Sequence, residues 1–215
     1  MSDRYGATTL ILVRHGQARA GDGSYGRETP LSNLGRLQAA AVAHELATRT
    51  PPAAVYISPL PRAVETATPL CARLDLKALV DPRLTEFELG SGSLESAQQR
   101  PDLVIWRAEH RGVENGETLG EFSARVAAFC DEIVGRHLGQ RVAVVAHSGT
   151  IDAVVRWSLG LTPASLWQHE LDLANASISE VEFWPHGRVR GGSPRYAVLR
   201  RVGDVTHLGA LASDL

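Results

Sequence analysis

Two runs constrain this chain most: Leu10-Ile11-Leu12-Val13 and Val142-Ala143-Val144-Val145-Ala146, apolar at every position. A strand with one wet face alternates apolar and polar residues; an unbroken apolar run belongs to a strand covered on both faces. Parallel sheets flanked by helices require strands of that kind. The first run stops abruptly on Arg14-His15-Gly16-Gln17 and the second on His147-Ser148-Gly149-Thr150. In open α/β sheets ligands bind just beyond the carboxyl ends of strands, so both histidines stand where reactive side chains belong. An imidazole beside a guanidinium suits an anionic, phosphorylated ligand. Arginine supplies fixed charge and a planar fork, and neutral histidine can serve as base, ligand or nucleophile. Gly16 is read as the residue that lets the chain turn sharply and lets a ligand come close.

Between these runs helical and strand patterns alternate. Ser32 or Thr29 caps a helix whose apolar face is read as Leu34, Leu37, Ala41, Val42 and Leu46, and Pro51-Pro52 ends that unit. Ala54-Val55-Tyr56-Ile57 is the next strand, followed by Ser58-Pro59-Leu60-Pro61-Arg62 and a helix to residue 74. An arginine in the first turn of a helix is unfavourable unless an anion lies there, so Arg62 joins the candidates. The plainer reading pairs it with Glu65 or Glu28. A short strand at 77–80 leads into an acidic loop in which Glu86 is a candidate general acid. Helices are expected at 94–110, 119–138 and 151–159, with Phe122, Val126, Phe129, Ile133 and Val134 as the stripe of the second. Ser148 or Thr150 is available to cap the third. Residues 177–184 and 196–202 read as an edge hairpin, and from 206 onward no pattern is legible.

The 215 residues suit a single α/β domain with a substantial core. A net charge of -2 excludes a nucleic-acid binder, which would carry a basic surface. No apolar run approaches the ~20 residues that span a bilayer, so no membrane partner is expected. The polar N-terminus lacks a signal-peptide core, and Cys71 and Cys130 are read as buried free thiols; a cytoplasmic protein is expected. The eight histidines are scattered without the helical spacing of a zinc site, so neither metal nor other cofactor is expected.

Several segments share one pattern. Arg14-His15-Gly16 is joined by Pro30-Leu31-Ser32 with Gly35 and Gln38, and by Ser58-Pro59-Leu60 with Arg62 and Thr66. Leu84 with Glu86 and Gly90, Asn115-Gly116-Glu117-Thr118, Val145-Ala146-His147-Ser148-Gly149 and Asn175-Ala176-Ser177-Ile178 follow in order. From residue 10 to about 181 the chain resembles the histidine phosphatase superfamily, the phosphoglycerate-mutase-like group. The resemblance implies a three-layer α/β/α sandwich with a mostly parallel central sheet. It also implies one domain over residues 1–215, with 91–118 as an insertion that covers the substrate.

Carried over residue by residue, the resemblance implies that His15 attacks phosphorus and becomes a phosphohistidine. Arg14, Arg62 and His147 would hold the phosphoryl oxygens, and Glu86 would shuttle protons. The chemistry fits: phosphoryl transfer needs an in-line nucleophile and dispersed positive charge around the equatorial oxygens. The neighbouring arginines are expected to lower the His15 pKa, and a backbone carbonyl to fix its tautomer. Backbone amides near Gln17 and Ser148 are further candidate phosphate donors. The chain departs from the family at Gln17, where glutamate is commonest, and at Ala18-Arg19-Ala20-Gly21, which lacks the usual asparagine. It departs again at residues 91–96, where a tryptophan-glutamate-glycine run is usual. The short stretch from Trp106 to Phe122 resembles the phosphatase branch.

The expected activity is metal-independent hydrolysis of a small phosphorylated metabolite, by a monomer or homodimer. The alternatives are mutase-type phosphoryl transfer and a non-catalytic member that binds phospho-ligands.

Overall fold

The computed structural model describes residues 6–19, 26–49, 51–88, 116–161, 171–184 and 196–212. Strand β1 (Thr8–Arg14) is fully buried from Leu10 to Val13. Its side chains divide between two cores. Leu10 and Leu12 join Phe122, Val126 and Phe129 of helix α3 (Leu119–Arg136) together with Ile151 and Val154 of helix α4 (Ser148–Ser158). Ile11 and Val13 join Val42 and Leu46 of helix α1 (Asn33–Thr48) and Ala63, Ala67 and Leu70 of helix α2 (Pro61–Leu74). Each such aliphatic side chain contributes roughly 1.5–3 kcal/mol by leaving water, so no position in the run can be polar. Helices thus cover both faces of the sheet, and the three-layer α/β/α expectation holds.

The other strands are β2 (Ala54–Ile57), β3 (Ala78–Val80), β4 (Arg141–Ala146), β5 (Ile178–Trp184) and β6 (Tyr196–Asp204). They form one sheet in the order β3-β2-β4-β1-β5-β6. The first four are parallel, while β5 and β6 run antiparallel and form the expected edge pair. Register decides what meets at the carboxyl ends. Arg14 is level with Ala146, and Ile57 with Val145, so His15 and His147 leave adjacent strands at the same height, with Ser58 one residue lower on the third. Ladder hydrogen bonds carry that alignment into the loops: His15 N donates to Ala146 O at 2.9 Å and Ser58 N to Val145 O at 3.0 Å.

Four local expectations need correction. In α1 the buried residues are Gly35, Gln38, Ala39, Val42, Ala43 and Leu46, while Leu37 is 56% exposed. The cause is backbone contact. A Cβ on Gly16 would meet Gly35 O at 2.6 Å, and one on Gly35 would collide with the Gln17 carbonyl. This approach fixes the helix's rotation and turns Leu37 outward. Gly16 therefore makes room for α1; its φ is not positive. Second, neither Ser148 nor Thr150 caps α4: the N-cap is His147 without a side-chain bond, and Thr150 Oγ1 donates to the carbonyls of Leu84 and Thr85. Third, Cys71 is half-buried, and only Cys130 matches the buried thiol expected. Fourth, Thr206–Leu211 forms a 3-10 helix that docks on α1, burying Leu208 and accepting Gln38 Nε2 on Leu211 O at 2.9 Å.

The expected helix at 94–110 and the family departure at 91–96 lie outside the described residues, as does most of the 91–118 insertion. Among the described residues no helix is long and apolar enough to cross a membrane. Nor does any group of three or more histidine, cysteine, aspartate and glutamate residues among them have the arrangement to hold a metal ion.

Candidate active site

His15 leaves β1 almost fully buried, 3% exposed. Its carbonyl accepts from Ala176 N at 3.1 Å and from Asn175 Nδ2 at 3.2 Å, which pins its backbone to the turn before β5. Its Nδ1 lies 2.7 Å from Gly16 O. A carbonyl only accepts, so Nδ1 carries the ring proton and Nε2 presents a lone pair. That lone pair accepts from Arg62 Nε at 3.2 Å. Gly16 N in turn donates to Thr66 Oγ1 at 3.0 Å, tying the turn after β1 to α2.

Arg62 reaches His15 from the first turn of α2, a helix that opens with Pro61 and has no side-chain cap. Its Nη1 donates to Gly26 O at 3.0 Å and Arg27 O at 3.1 Å, so loop carbonyls offset its charge in place of Glu65 or Glu28. Arg14, the last residue of β1, donates through Nη1 to Leu173 O.

His147 is 1% exposed, its ring centroid 5.1 Å from that of His15. Its Nε2 lies 2.8 Å from Ser58 Oγ, and its Nδ1 has no partner. Ser58 Oγ accepts a bond from Leu60 N at 3.3 Å, and its own buried proton has no acceptor among the described residues other than Nε2, so it donates there. The imidazole proton then sits on Nδ1, a buried donor with nothing to donate to. Such a group costs about 1–3 kcal/mol unless a ligand oxygen satisfies it.

Glu86 stands in the irregular segment after the 3-10 turn Pro82–Leu84. Oε1 accepts from Phe87 N at 2.9 Å, and Oε2 from Gly149 N at 3.0 Å in the first turn of α4. A Cβ at residue 149 would stand 2.5 Å from Oε1, so a larger residue there would push the carboxylate aside.

Burial dominates the electrostatics. It drives the His15 pKa down to about 3 against the opposing pull of the Gly16 carbonyl, and Arg62 and Arg14 lower it further. The arginines act in the expected direction but are secondary to desolvation. His147 is lowered to about 2, first by burial and then by the charges of His15, Arg62, Arg14 and Arg125. Burial raises Glu86 above the usual carboxylate range, although two amides, Arg62 and Arg125 favour its ionised form. Near neutral pH the site thus holds two neutral imidazoles and a carboxyl biased toward protonation.

These shifts act on stability in opposite directions: the two lowered imidazoles should destabilise the fold in acid, and the raised Glu86 carboxyl offsets part of that loss. The unfolded chain protonates both imidazoles below about pH 6.5, whereas the folded chain does so only near pH 3 and 2. Stability is therefore lost as pH falls below 6.5, by roughly 2 kcal/mol per imidazole on reaching pH 5. Denaturant melts at the two pH values measure the net change, and His147→Asn should make the loss smaller by roughly 2 kcal/mol. A loss of the same size in parent and variant contradicts the neutral state assigned to His147.

The structure brings Arg14, His15, Arg62, Glu86 and His147 to one end of the sheet. Ser148 follows His147 as the first residue of α4. Gln17 behaves differently: its amide donates to Gln38 Oε1 at 2.8 Å and its Oε1 accepts from Ser32 Oγ at 2.7 Å. That backbone amide is already bonded, and through it and its Oε1 Gln17 braces the loop. The residue-level reading assigned no roles to Ser58, Thr66, Asn175 or Arg125. The first three stand in motifs already noted; Arg125, mid-helix, carries no local signal at all.

The model of the histidine phosphatase superfamily, branch 1, matches residues 10–190. Phosphoserine phosphatase 1 of Hydrogenobacter thermophilus is 34% identical over 183 residues, covering 80% of this chain and 86% of that protein. Glucosyl-3-phosphoglycerate phosphatase of Mycolicibacterium vanbaalenii is 33% identical over 223 residues, covering 96% and 97%. The solved native structure of a mycobacterial glucosyl-3-phosphoglycerate phosphatase superposes with a TM-score of 0.73 at 32% identity, covering 92% of this chain and 99% of that one. Other curated relatives, from Mycobacterium, are longer: the chain spans about half of their length.

Proposed function

The chain belongs to the histidine phosphatase superfamily, branch 1, and on that premise we propose that it hydrolyses the phosphomonoester of a small metabolite through a phosphohistidine on His15, without a metal ion. The observation that carries this reading is the His15 imidazole. It is buried and neutral, its Nδ1 proton is fixed on Gly16 O, and its Nε2 lone pair is held beside Arg62.

In the first step Nε2 attacks phosphorus in line, the N–P bond forms and the ester O–P bond breaks. Arg14 and Arg62 spread positive charge over the equatorial oxygens, and the Nδ1 proton of His147 gives one of them a hydrogen bond. The Ser148 amide, at the start of α4, is a further donor to the same oxygens. Glu86, biased toward its acid form, protonates the departing alkoxide. In the second step the Glu86 carboxylate takes a proton from water as it attacks phosphohistidine, and inorganic phosphate leaves.

The named relatives narrow the substrate. Phosphoserine and glucosyl-3-phosphoglycerate are both phosphomonoesters of small carboxylic acids, and a substrate of that class is the reading they support. The test is a panel of phosphorylated metabolites including both, assayed for phosphate release with and without chelator. Release from such acids that survives chelation is expected. Rapid isomerisation of 3-phosphoglycerate with slow phosphate release would overturn hydrolysis in favour of mutase chemistry, and loss of activity on chelation would overturn metal independence.

A further inference from the structure

We propose that Arg125, a residue of α3 outside the catalytic group, is a positioning residue that holds Glu86 in place for proton transfer. The inference rests on the reading of Glu86 as the proton donor. After the 3-10 turn Pro82–Leu84, residues 85–88 carry no helix or strand of their own. Burial of the Glu86 carboxyl is unfavourable, and an unrestrained loop would relieve it by moving toward water. Its carboxylate is held by two amides, and one of them, Phe87 N, moves with the loop itself.

Thr150 Oγ1 bonds the start of the loop at Leu84 O and Thr85 O, and one guanidinium carries the grip on to Glu86 itself. Arg125 Nη1 donates to Arg83 O and to Thr85 O, each at 2.7 Å, and Nη2 donates to Glu86 O at 3.2 Å. The remaining donors go to Glu117: Nη2 to Oε1 at 2.5 Å and Nε to Oε2 at 2.9 Å. All five N–H donors of the side chain are thereby used. Glu117 extends the clamp beyond Glu86, because its amide donates to Glu88 O and its Oε1 accepts from Glu88 N, both at 2.9 Å. The backbone is thus gripped on either side of the acid.

The frame behind the clamp is rigid. Arg125 lies over the Phe122 ring, 4.7 Å from its centroid, and Phe122 packs edge-to-face on Phe87. The next residue of α3, Val126, is fully buried. A pair whose task was charge neutralisation would need only Glu117. Three carbonyls within four residues of the acid point instead to holding its backbone. Proton transfer requires that donor and leaving oxygen stay within hydrogen-bond reach, so small displacements of such a loop cost rate before they cost fold.

The test is rapid-quench measurement of phosphohistidine formation in Arg125→Ala and Arg125→Lys, with Glu86→Gln alongside. Two substrates are used, p-nitrophenyl phosphate and an alkyl phosphate. Lysine keeps the charge but presents it as a point that cannot span three carbonyls. Both Arg125 variants should slow the alkyl reaction about tenfold or more and the aryl reaction less than about threefold, with KM little changed. Thermal melts establish that each variant is folded, and the lysine variant carries the test if the alanine one is not. Equal slowing on both substrates, or none on either, would overturn the positioning role. If Glu86→Gln itself fails to separate the two substrates, the proton-donor reading falls, and the inference falls with it.

Discussion

Replacing His15 with alanine should abolish turnover, by roughly ten-thousand-fold or more, and should leave no phosphoryl-enzyme to trap. No other described side chain can take over the attack. His147 points its lone pair at Ser58 and offers a proton at Nδ1, so it donates where His15 accepts. Loss of the imidazole also removes a group whose burial opposes its charged form, so the variant should fold and should resist acid better than the parent. A brief reaction with a labelled phosphomonoester, stopped in alkali, should leave label on the parent protein alone. Equal labelling of the two would sink the covalent mechanism even if turnover fell.

Strands and site were legible to different depths, for physical reasons. The runs at 10–13 and 142–146 could be read because burial on both faces excludes polar residues at every position. Once two such strands are parallel and adjacent, residues just past their ends must come together, which is how His15 and His147 could be paired at a distance. The face of α1 could not be read by the same logic. Its position is set by glycine and alanine approaching backbone, and hydrophobicity is a poor guide where the contact requires small residues. The segment after β6 was illegible because its 3-10 turns have no long apolar period, and its docking depends on Gln38 in a different element.

Within the site, charge at a strand end was the legible signal, and support was not. Arg62 stood out because a cation at a helix start is unfavourable alone. Glu86 stood out as a carboxyl on an irregular segment. Ser58 sets the His147 tautomer and Arg125 grips the loop around Glu86, yet Ser58 stands in its motif without a legible role and Arg125 looks ordinary in sequence. Their importance comes from partners 89 and 39–42 positions away.

Glu86→Gln should separate the two chemical steps. Glutamine retains an oxygen to accept from Phe87 N or Gly149 N, so the loop keeps much of its geometry. What it lacks is a transferable proton. With an alkyl phosphate the departing alkoxide is strongly basic, and phosphohistidine formation should slow about 10²- to 10⁴-fold. With p-nitrophenyl phosphate the phenolate leaves without help, so its first step should be nearly unchanged. The second step then fails for both, because water attacking phosphohistidine has no base to receive its proton. The aryl substrate should therefore give a burst of one nitrophenol per protein, followed by slow release. The raised pKa of the native carboxyl adds a second signature: the alkaline limb of alkyl phosphate turnover, where Glu86 loses its proton, should vanish from the variant. Identical slowing of the first step on both substrates, with no burst, would remove Glu86 as the proton donor and leave its desolvated carboxyl without a chemical purpose.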